Sequence, residues 1–229
     1  NDGLKLVADY LHQHQLKLGI YSAPGPTTCG GFEGIMGHEQ HDVQWFAAQG
    51  IEFLKLDYGC GNVASCRLNH TGGHPSAIDS LRKVGESIAA LEGQEMILYI
   101  DAGNYNEAAL WNPNMRGVVP SFRTEQRIAR SMDELVYVFG PRIGASMWKI
   151  WSDRMDDFVC LMGEVHAHLV AGVKLFQRPG AITTLDAMTI GRAAVPQPGG
   201  LPPMTESEHR IEVFLYAVLS SPMVLSFDL

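Results

Sequence analysis

Gly50-Ile51-Glu52-Phe53-Leu54-Lys55-Leu56-Asp57 decides the fold class of this 229-residue chain. The glycine is a stop signal for the segment before it. Ile51, Phe53, Leu54 and Leu56 then make a short buried strand that ends on an acidic residue. Working backwards, residues 38–49 read as a helix with Val43, Phe46 and Ala47 on one face. Before it, Leu18, Ile20 and Tyr21 form a strand stopped by Pro24-Gly25-Pro26. An amphipathic helix over about 3–15, carried by Leu4, Leu6, Val7 and Leu11, precedes that strand.

The same rhythm runs forward. Residues 76–91 read as a helix and 96–100 as a strand. The stretch 104–144 is less regular, with an extra helix at about 124–138. A strand is expected at 145–151, a helix at 153–173, and a strand at 181–185. The Pro/Gly-rich segment 195–203 reads as a surface loop. A helix follows at 205–219, with Thr205 and Glu208 spaced as a capping box, and a last strand at 223–226. Short apolar strands alternating with longer helices imply βαβ units and a parallel sheet. Six strands are counted, each with a helix before it, where a closed barrel needs eight. An open doubly wound sheet has the same rhythm. No glycine-rich dinucleotide fingerprint follows any strand, which lowers that alternative.

Composition bounds the function. With 46% hydrophobic and 18% charged residues, the chain has an ordinary globular balance. No apolar run approaches ~20 residues, so no membrane span is expected. A net charge of −8 would repel a phosphate backbone, so nucleic acid is not an expected partner. A neutral substrate such as a sugar suits the balance better. No cofactor is expected. Neither is a metal: the spacing from Cys60 to Cys66 is not a zinc pattern. The four cysteines, Cys29, Cys60, Cys66 and Cys160, allow three full pairings. Asn69-His70-Thr71 is a glycosylation sequon beside a Gly-Gly turn. Cysteines plus a sequon point to the secretory pathway, an extracellular or lysosome-like location. Asn1 leads almost at once into a helical pattern, so the chain is expected to begin inside a domain.

In a barrel, catalytic side chains come from the C-terminal ends of the strands. Those ends supply Tyr21, Lys55 and Asp57, Asp101, Trp151 and Asp153, Asp186, and Asp228. One aspartate at a strand end is commonly a helix cap. Five converging on one rim make a carboxylate-lined site, and paired carboxylates are what glycoside hydrolysis requires. No Gly-x-Ser-x-Gly nucleophile elbow occurs, which argues against an α/β hydrolase.

Several segments carry a family resemblance. Leu16-Lys17-Leu18-Gly19-Ile20-Tyr21-Ser22, Cys29-Gly30-Gly31-Phe32, Gly37-His38-Glu39 and Gly50 through Asp57 form one block. Trp148-Lys149-Ile150-Trp151-Ser152-Asp153, Leu185-Asp186-Ala187-Met188 and Ser220 through Leu229 follow in order. Together they resemble the α-galactosidases and α-N-acetylgalactosaminidases of the glycoside hydrolase family 27 type. The resemblance implies a (β/α)8 TIM barrel of which residues 1–229 cover roughly strands 3 to 8. The first two strands and the family's C-terminal β-sandwich would be missing. The remaining barrel would then come from a longer polypeptide, or other protein chains would cover the gap. It also implies a retaining double displacement on an α-galactoside oligosaccharide or glycoconjugate, with Asp57 as nucleophile and Asp153 as acid/base.

By the same resemblance Tyr21, Lys55, Asp101, Lys149 and Trp151 are expected to contact the sugar. Lys55 lies two residues before Asp57, so both face one side of the strand; a cation there would also favour ionised Asp57. Trp148 and Trp151 would form an apolar wall, or else fill the core. Cys29 matches a family position that bridges to a cysteine just after the nucleophile, which makes Cys60 its implied mate; Cys60–Cys66 is the rival pairing. Cys160 falls within a helix and reads as a buried thiol. The chain departs from the family in three places. Lys149 replaces an arginine, Ile100 through Tyr105 rewrites the segment that reads the sugar's 2-position, and Thr183 through Met188 shortens an acidic motif. These departures define a competing reading, a degenerate barrel that binds glycans or serves as a structural subunit.

Overall fold

The computed structural model describes residues 3–57, 75–101, 144–149, 154, 156–170, 177–190 and 202–226, without the side chains of 75–78, 167 and 170. The elements in order are α1 (Gly3–Gln13), β1 (Leu18–Ser22), α2 (Glu39–Ala48), β2 (Ile51–Asp57), α3 (Pro75–Ala89) and β3 (Ile97–Asp101). Then come β4 (Met147–Lys149), α4 (Phe158–Val170), β5 (Ile182–Thr184), β6 (Ala187–Met188), α5 (Glu206–Val218) and β7 (Val224–Leu225). Strands β1 to β5 form one sheet in strict chain order, β1-β2-β3-β4-β5, and all four pairings are parallel. A doubly wound sheet reverses its strand order at a switch point; this one never does. Unbroken parallel order is the order of a barrel wall.

Burial separates the two faces of that wall. Leu54 and Leu56 of β2, Leu98 and Ile100 of β3, and Trp148 of β4 pack with Val43 and Ala47 of α2 and Leu81 and Val84 of α3. Apolar residues thus face the helices, each buried aliphatic contributing about 1.5–3 kcal/mol. The residues between them along the strands, Lys55, Asp57, Tyr99, Asp101, Met147 and Lys149, turn to the other face because side chains alternate along a strand. Trp148 is buried in the helix-side cluster. It therefore fills the core rather than walling the sugar, since strand parity places it opposite Lys149.

The element types follow the sequence, with two differences. The strand expected at 181–185 is β5, but a further short strand, β6, follows it at Ala187–Met188. Asp186 lies between them with φ of +64°, a left-handed conformation that ends strand geometry. As a result β6 leaves β5 and pairs in parallel with β7 in a separate two-stranded sheet. The helix expected at 153–173 starts only at Phe158. Asp157 precedes it, and its Oδ1 accepts the Cys160 backbone N–H at 2.6 Å, an N-cap arrangement that fixes the start of α4. The capping box of α5 forms in both directions: Thr205 Oγ1 accepts from Glu208 N, and the Glu208 carboxylate accepts from Thr205 N at 2.7 Å. The helix expected at 124–138, the loop over 195–201, Asn69, Cys60, Cys66, Trp151, Asp153 and Asp228 lie outside the described residues. Cys160 is buried within α4, as its helical position implied.

A second core lies under α4 and α5, built from Leu161, Val165, Leu185, Met188, Met204 and Tyr216. Beside it His168 is buried, its Nδ1–H donating to the Glu164 carbonyl at 2.9 Å. That bond leaves Nε2 as the unprotonated nitrogen. Burial lowers the His168 pKa to about 4 despite this bond. The folded state therefore holds a neutral imidazole that the unfolded chain would protonate near pH 6.5. Stability from this group is complete above pH ~6.5 and is lost as pH falls towards 4. Between pH 7 and 5 the wild type is expected to lose about 2 kcal/mol through this group alone. Urea unfolding of wild type and His168→Gln at both pH values checks this, since equal acid sensitivity in the two proteins would contradict it.

Among the described residues no helix is long and apolar enough to cross a membrane.

Candidate active site at the strand ends

The parallel register brings four strand ends level. Asp57 pairs with Asp101, Asp101 with Lys149, and Lys149 with Thr184. One step deeper, Tyr21 pairs with Lys55, Lys55 with Tyr99, and Tyr99 with Met147. Two layers of side chains thus share one face at the C-terminal end of the sheet. Strands β2, β3 and β4 contribute to both layers because residues two apart point the same way.

An alternating chain of charges joins the two layers. Lys55 Nζ lies 2.9 Å from Asp101 Oδ2, and Lys149 Nζ lies 3.0 Å from the same oxygen. Lys149 Nζ also donates to Asp186 Oδ2 at 3.1 Å. Lys149 and Asp101 are each only 1% exposed, so neither charge could stand in this place alone. The two lysines and two aspartates balance, which is what lets Lys149 and Asp101 be buried. Burial opposes ionisation of Asp186, but Lys149, the Arg154 backbone N–H and Lys55 outweigh it and hold its carboxyl below the usual range. The expectation that Lys55 serves Asp57 is thereby widened, because its ammonium forms an ion pair with Asp101.

Asp57 is buried at the end of β2. Tyr21 Oη donates to Asp57 Oδ2 at 3.5 Å, a long bond. Burial, reinforced by the negative charge of Asp57, raises the Tyr21 pKa. The phenol thus keeps its proton and remains a donor. Cys29 Sγ lies 3.9 Å from the same carboxylate oxygen. The loop that brings it there folds back on itself through Gly34 N to Pro26 O and Ile35 N to Ala23 O, both 2.9 Å. A β-carbon on Gly34 would collide with the Gly25 carbonyl oxygen, so this close approach requires glycine. Beside Lys55, the Tyr99 ring lies 5.3 Å from Nζ, within cation–π reach. Burial and then the charge of Asp101 hold the Tyr99 phenol well above its ordinary pKa.

The structure therefore assembles Tyr21, Lys55, Asp57, Asp101 and Lys149 on one face. Trp151 and Asp153 lie outside the described residues. One participant, Tyr99, was not among the expected site residues, and Asp186 was expected only as a strand-end carboxylate. Tyr99 was legible as the residue two before Asp101. Asp186 was visible as a strand-end aspartate, but nothing local marks it as the partner of a lysine 37 positions earlier.

A family model described as "Alpha galactosidase A" matches residues 1–114. An α-galactosidase of Lachancea cidri is 28% identical over 99% of this chain and 43% of its own length. α-Galactosidase A of Cellvibrio japonicus is 27% identical over 99% of this chain and 46% of its own. The chain thus spans less than half the length of these curated relatives. The fold is that of the α-galactosidase from Saccharomyces cerevisiae solved with raffinose. The TM-score is 0.65 at 16% identity, covering 99% of this chain and 44% of that one. Strand order, the level carboxylates at the strand ends and these similarities agree: the chain matches the α-galactosidase family over residues 1–114, and its fold is part of a (β/α)8 barrel.

Proposed function

We propose that this chain supplies the catalytic face of a retaining α-galactosidase that removes terminal α-linked galactose. The observation that carries the reading is the level array of Asp57, Asp101 and Lys149 above Tyr21 and Lys55, at the strand ends where barrel enzymes hold their substrates. Asp57 attacks the anomeric carbon, and the bond to the leaving oxygen breaks as Asp153 gives that oxygen its proton. The resulting glycosyl ester is cleaved by a water whose proton returns to Asp153. Two carboxyl groups working in this way stand ~5–5.5 Å apart. The ammonium groups of Lys55 and Lys149 and the rim aromatics Tyr21 and Trp151 bind hydroxyls and the sugar face. Asp101 lies at the segment that reads the 2-position.

Residues 1–229 are the larger part of one catalytic barrel domain. The remaining strands come from further polypeptide or from another chain. This is supported by the share of the relatives covered and by apolar side chains exposed on the first and last described helices, Leu6 and Tyr10 on α1 and Phe214 and Val218 on α5. Cys29 pairs with Cys60, three residues beyond Asp57, which fixes the chain leaving β2. Its Sγ beside Asp57 supports the pairing. With a glycan at Asn69, this places the protein in the secretory pathway.

The test is hydrolysis by the full-length polypeptide of 4-nitrophenyl α-galactoside and its N-acetylgalactosaminide, with the first-formed anomer read by NMR. Release of α-galactose first is expected, with the galactoside preferred. Sugar binding without turnover would instead make the protein a glycan-binding barrel.

A further inference from the structure

The chain of charges in the site has one partly open end. Lys55 keeps 30% of its side-chain surface exposed, whereas Asp101 and Lys149 keep 1% each. The family resemblance gives Asp101 a contact with the sugar, but a carboxylate this enclosed has almost no surface to offer a ligand. Its Oδ2 instead serves two cations, Lys55 Nζ at 2.9 Å and Lys149 Nζ at 3.0 Å. Lys149 is anchored from the far side, where its Nζ donates to Asp186 Oδ2 at 3.1 Å. Asp186 is fixed in turn, because its N–H donates to Thr184 Oγ1 at 3.0 Å. Attachment thus runs from the buried end to the exposed one: Asp186 holds Lys149, Lys149 holds Asp101, and Asp101 holds Lys55.

A lysine needs such holding. Its four-carbon stem rotates about every bond, and ordering that stem costs entropy. A group fixed before the substrate arrives does not bear that cost on binding. Lys55 is fixed from two sides. On one is Asp101 Oδ2, and on the other is the Tyr99 ring, centred 5.3 Å from Nζ. Strand register sets this cradle. Tyr99 is the partner of Lys55 across β2 and β3, and Asp101 is the partner of Asp57 one layer further along. The ring is buried and packs on Phe53, with centroids 6.0 Å apart. Phe53 lies two residues before Lys55 and so shares its face of the strand. Asp101 therefore draws the ammonium up to the layer of Asp57, and Tyr99 supports it from beside.

We propose that Asp101 is a positioning residue for Lys55: it holds the ammonium at the layer of Asp57, so that one sugar hydroxyl meets a cation already in place. This rests on the proposed hydrolysis of an α-galactoside, and it gives Asp101 a part that involves no contact with the sugar. Its effect on activity passes through one cation and hence through one hydroxyl. A residue needed only for folding has no such selectivity.

The experiment measures kcat/KM of wild type, Lys55→Met, Asp101→Asn and the double variant. The substrates are 4-nitrophenyl α-galactoside and its 2-, 3-, 4- and 6-deoxy derivatives, with rates taken per folded protein. On the parent substrate Asp101→Asn is expected to lose about 30-fold, the scale of one charge-assisted hydrogen bond. The derivative on which Lys55→Met costs least lacks the hydroxyl that Lys55 holds. On that derivative the loss from Asp101→Asn should shrink to less than about 3-fold, because the bond is already gone. In the Lys55→Met background Asp101→Asn should likewise cost less than about 3-fold on the parent substrate. Four outcomes overturn the role: no loss on the parent, a loss equal across the panel, a loss that persists in full without Lys55, or one that disappears on a different derivative. The last would make Asp101 a sugar ligand. Should Asp101→Asn fail to fold, Tyr99→Leu removes the other side of the cradle. It is expected to lose about 5-fold, again except on the derivative picked out by Lys55→Met, and an even loss or none overturns the proposal. A wild type that turns over no member of the panel overturns the proposed hydrolysis itself, and this inference with it.

Discussion

Asp57→Asn is expected to lower kcat/KM on an aryl α-galactoside by about ten-thousand-fold or more, as loss of a nucleophile does in other covalent mechanisms. The amide fits the space of the carboxylate but has no negative oxygen to form the ester. Stability should move little, and upward if at all. Asp57 and Asp101 are register partners at the ends of β2 and β3, and like charges side by side destabilise the folded state. Among Lys55, Asp57, Asp101, Lys149 and Asp186 the negative charges exceed the positive by one, so removing one charge relieves repulsion. Activity and thermal midpoint should therefore part company, the first collapsing while the second holds or rises. Turnover by Asp57→Asn within ten-fold of wild type would remove Asp57 from the nucleophile role. A collapse in both measurements would mean that the carboxylate is structural.

Lys149→Met is expected to have the largest effect on stability. The ammonium is 1% exposed and bridges Asp101 and Asp186. Methionine restores the volume but leaves two carboxylates buried without the cation between them. Breaking a buried pair by removing one partner costs about 3–5 kcal/mol. At about 2–4 °C per kcal/mol for a domain of this size, the thermal midpoint should fall by roughly 6–20 °C. Part of the loss should be recovered in acid. Asp186 is held below its usual range by Lys149 and Arg154 N against the opposing effect of burial. In the wild type its contribution is therefore complete above the unfolded carboxyl range near pH ~4 and is lost as pH falls through the folded value. In Lys149→Met that same carboxylate becomes costly when ionised, so the gap between variant and wild type should narrow at low pH. A midpoint within 2 °C of wild type at pH 7, a margin below the effect of ~1 kcal/mol, would contradict the bridging role. Lys149→Arg keeps the charge and should be milder, although the longer planar group must fit a site with almost no exposure.

These two residues mark different depths of legibility. Asp57 could be placed from its own neighbours: a glycine stop, a run of apolar residues and an acid at the end suffice to put it at the rim of a parallel sheet. Lys55 and Tyr99 follow from strand period, each two residues before an aspartate. The burial of Lys149 is a different matter. A lysine between Trp148 and Ile150 reads as a sugar ligand or as a tolerated charge until its partners are known, and those partners lie 48 and 37 positions away in sequence. Trp148 shows the converse. Its chemistry suggested a wall for the sugar, but one step of strand parity turned it to the helices.

What the sequence by itself determined was the local order: short apolar strands, longer helices, a capping box at Thr205, acids at the strand ends, and the family block from Leu16 to Asp57. Each of these depends on residues within a few positions, where propensity and periodicity act. Only the tertiary structure decided that the strands run in unbroken parallel order, that Asp101 is shared by two lysines, and that the strand ends at Asp186, whose carboxylate accepts the Arg154 backbone N–H. Those outcomes depend on register and on burial of charge. Both are settled when separate strands come together, because an ion in the interior is stable only beside partners that the rest of the chain must bring to it.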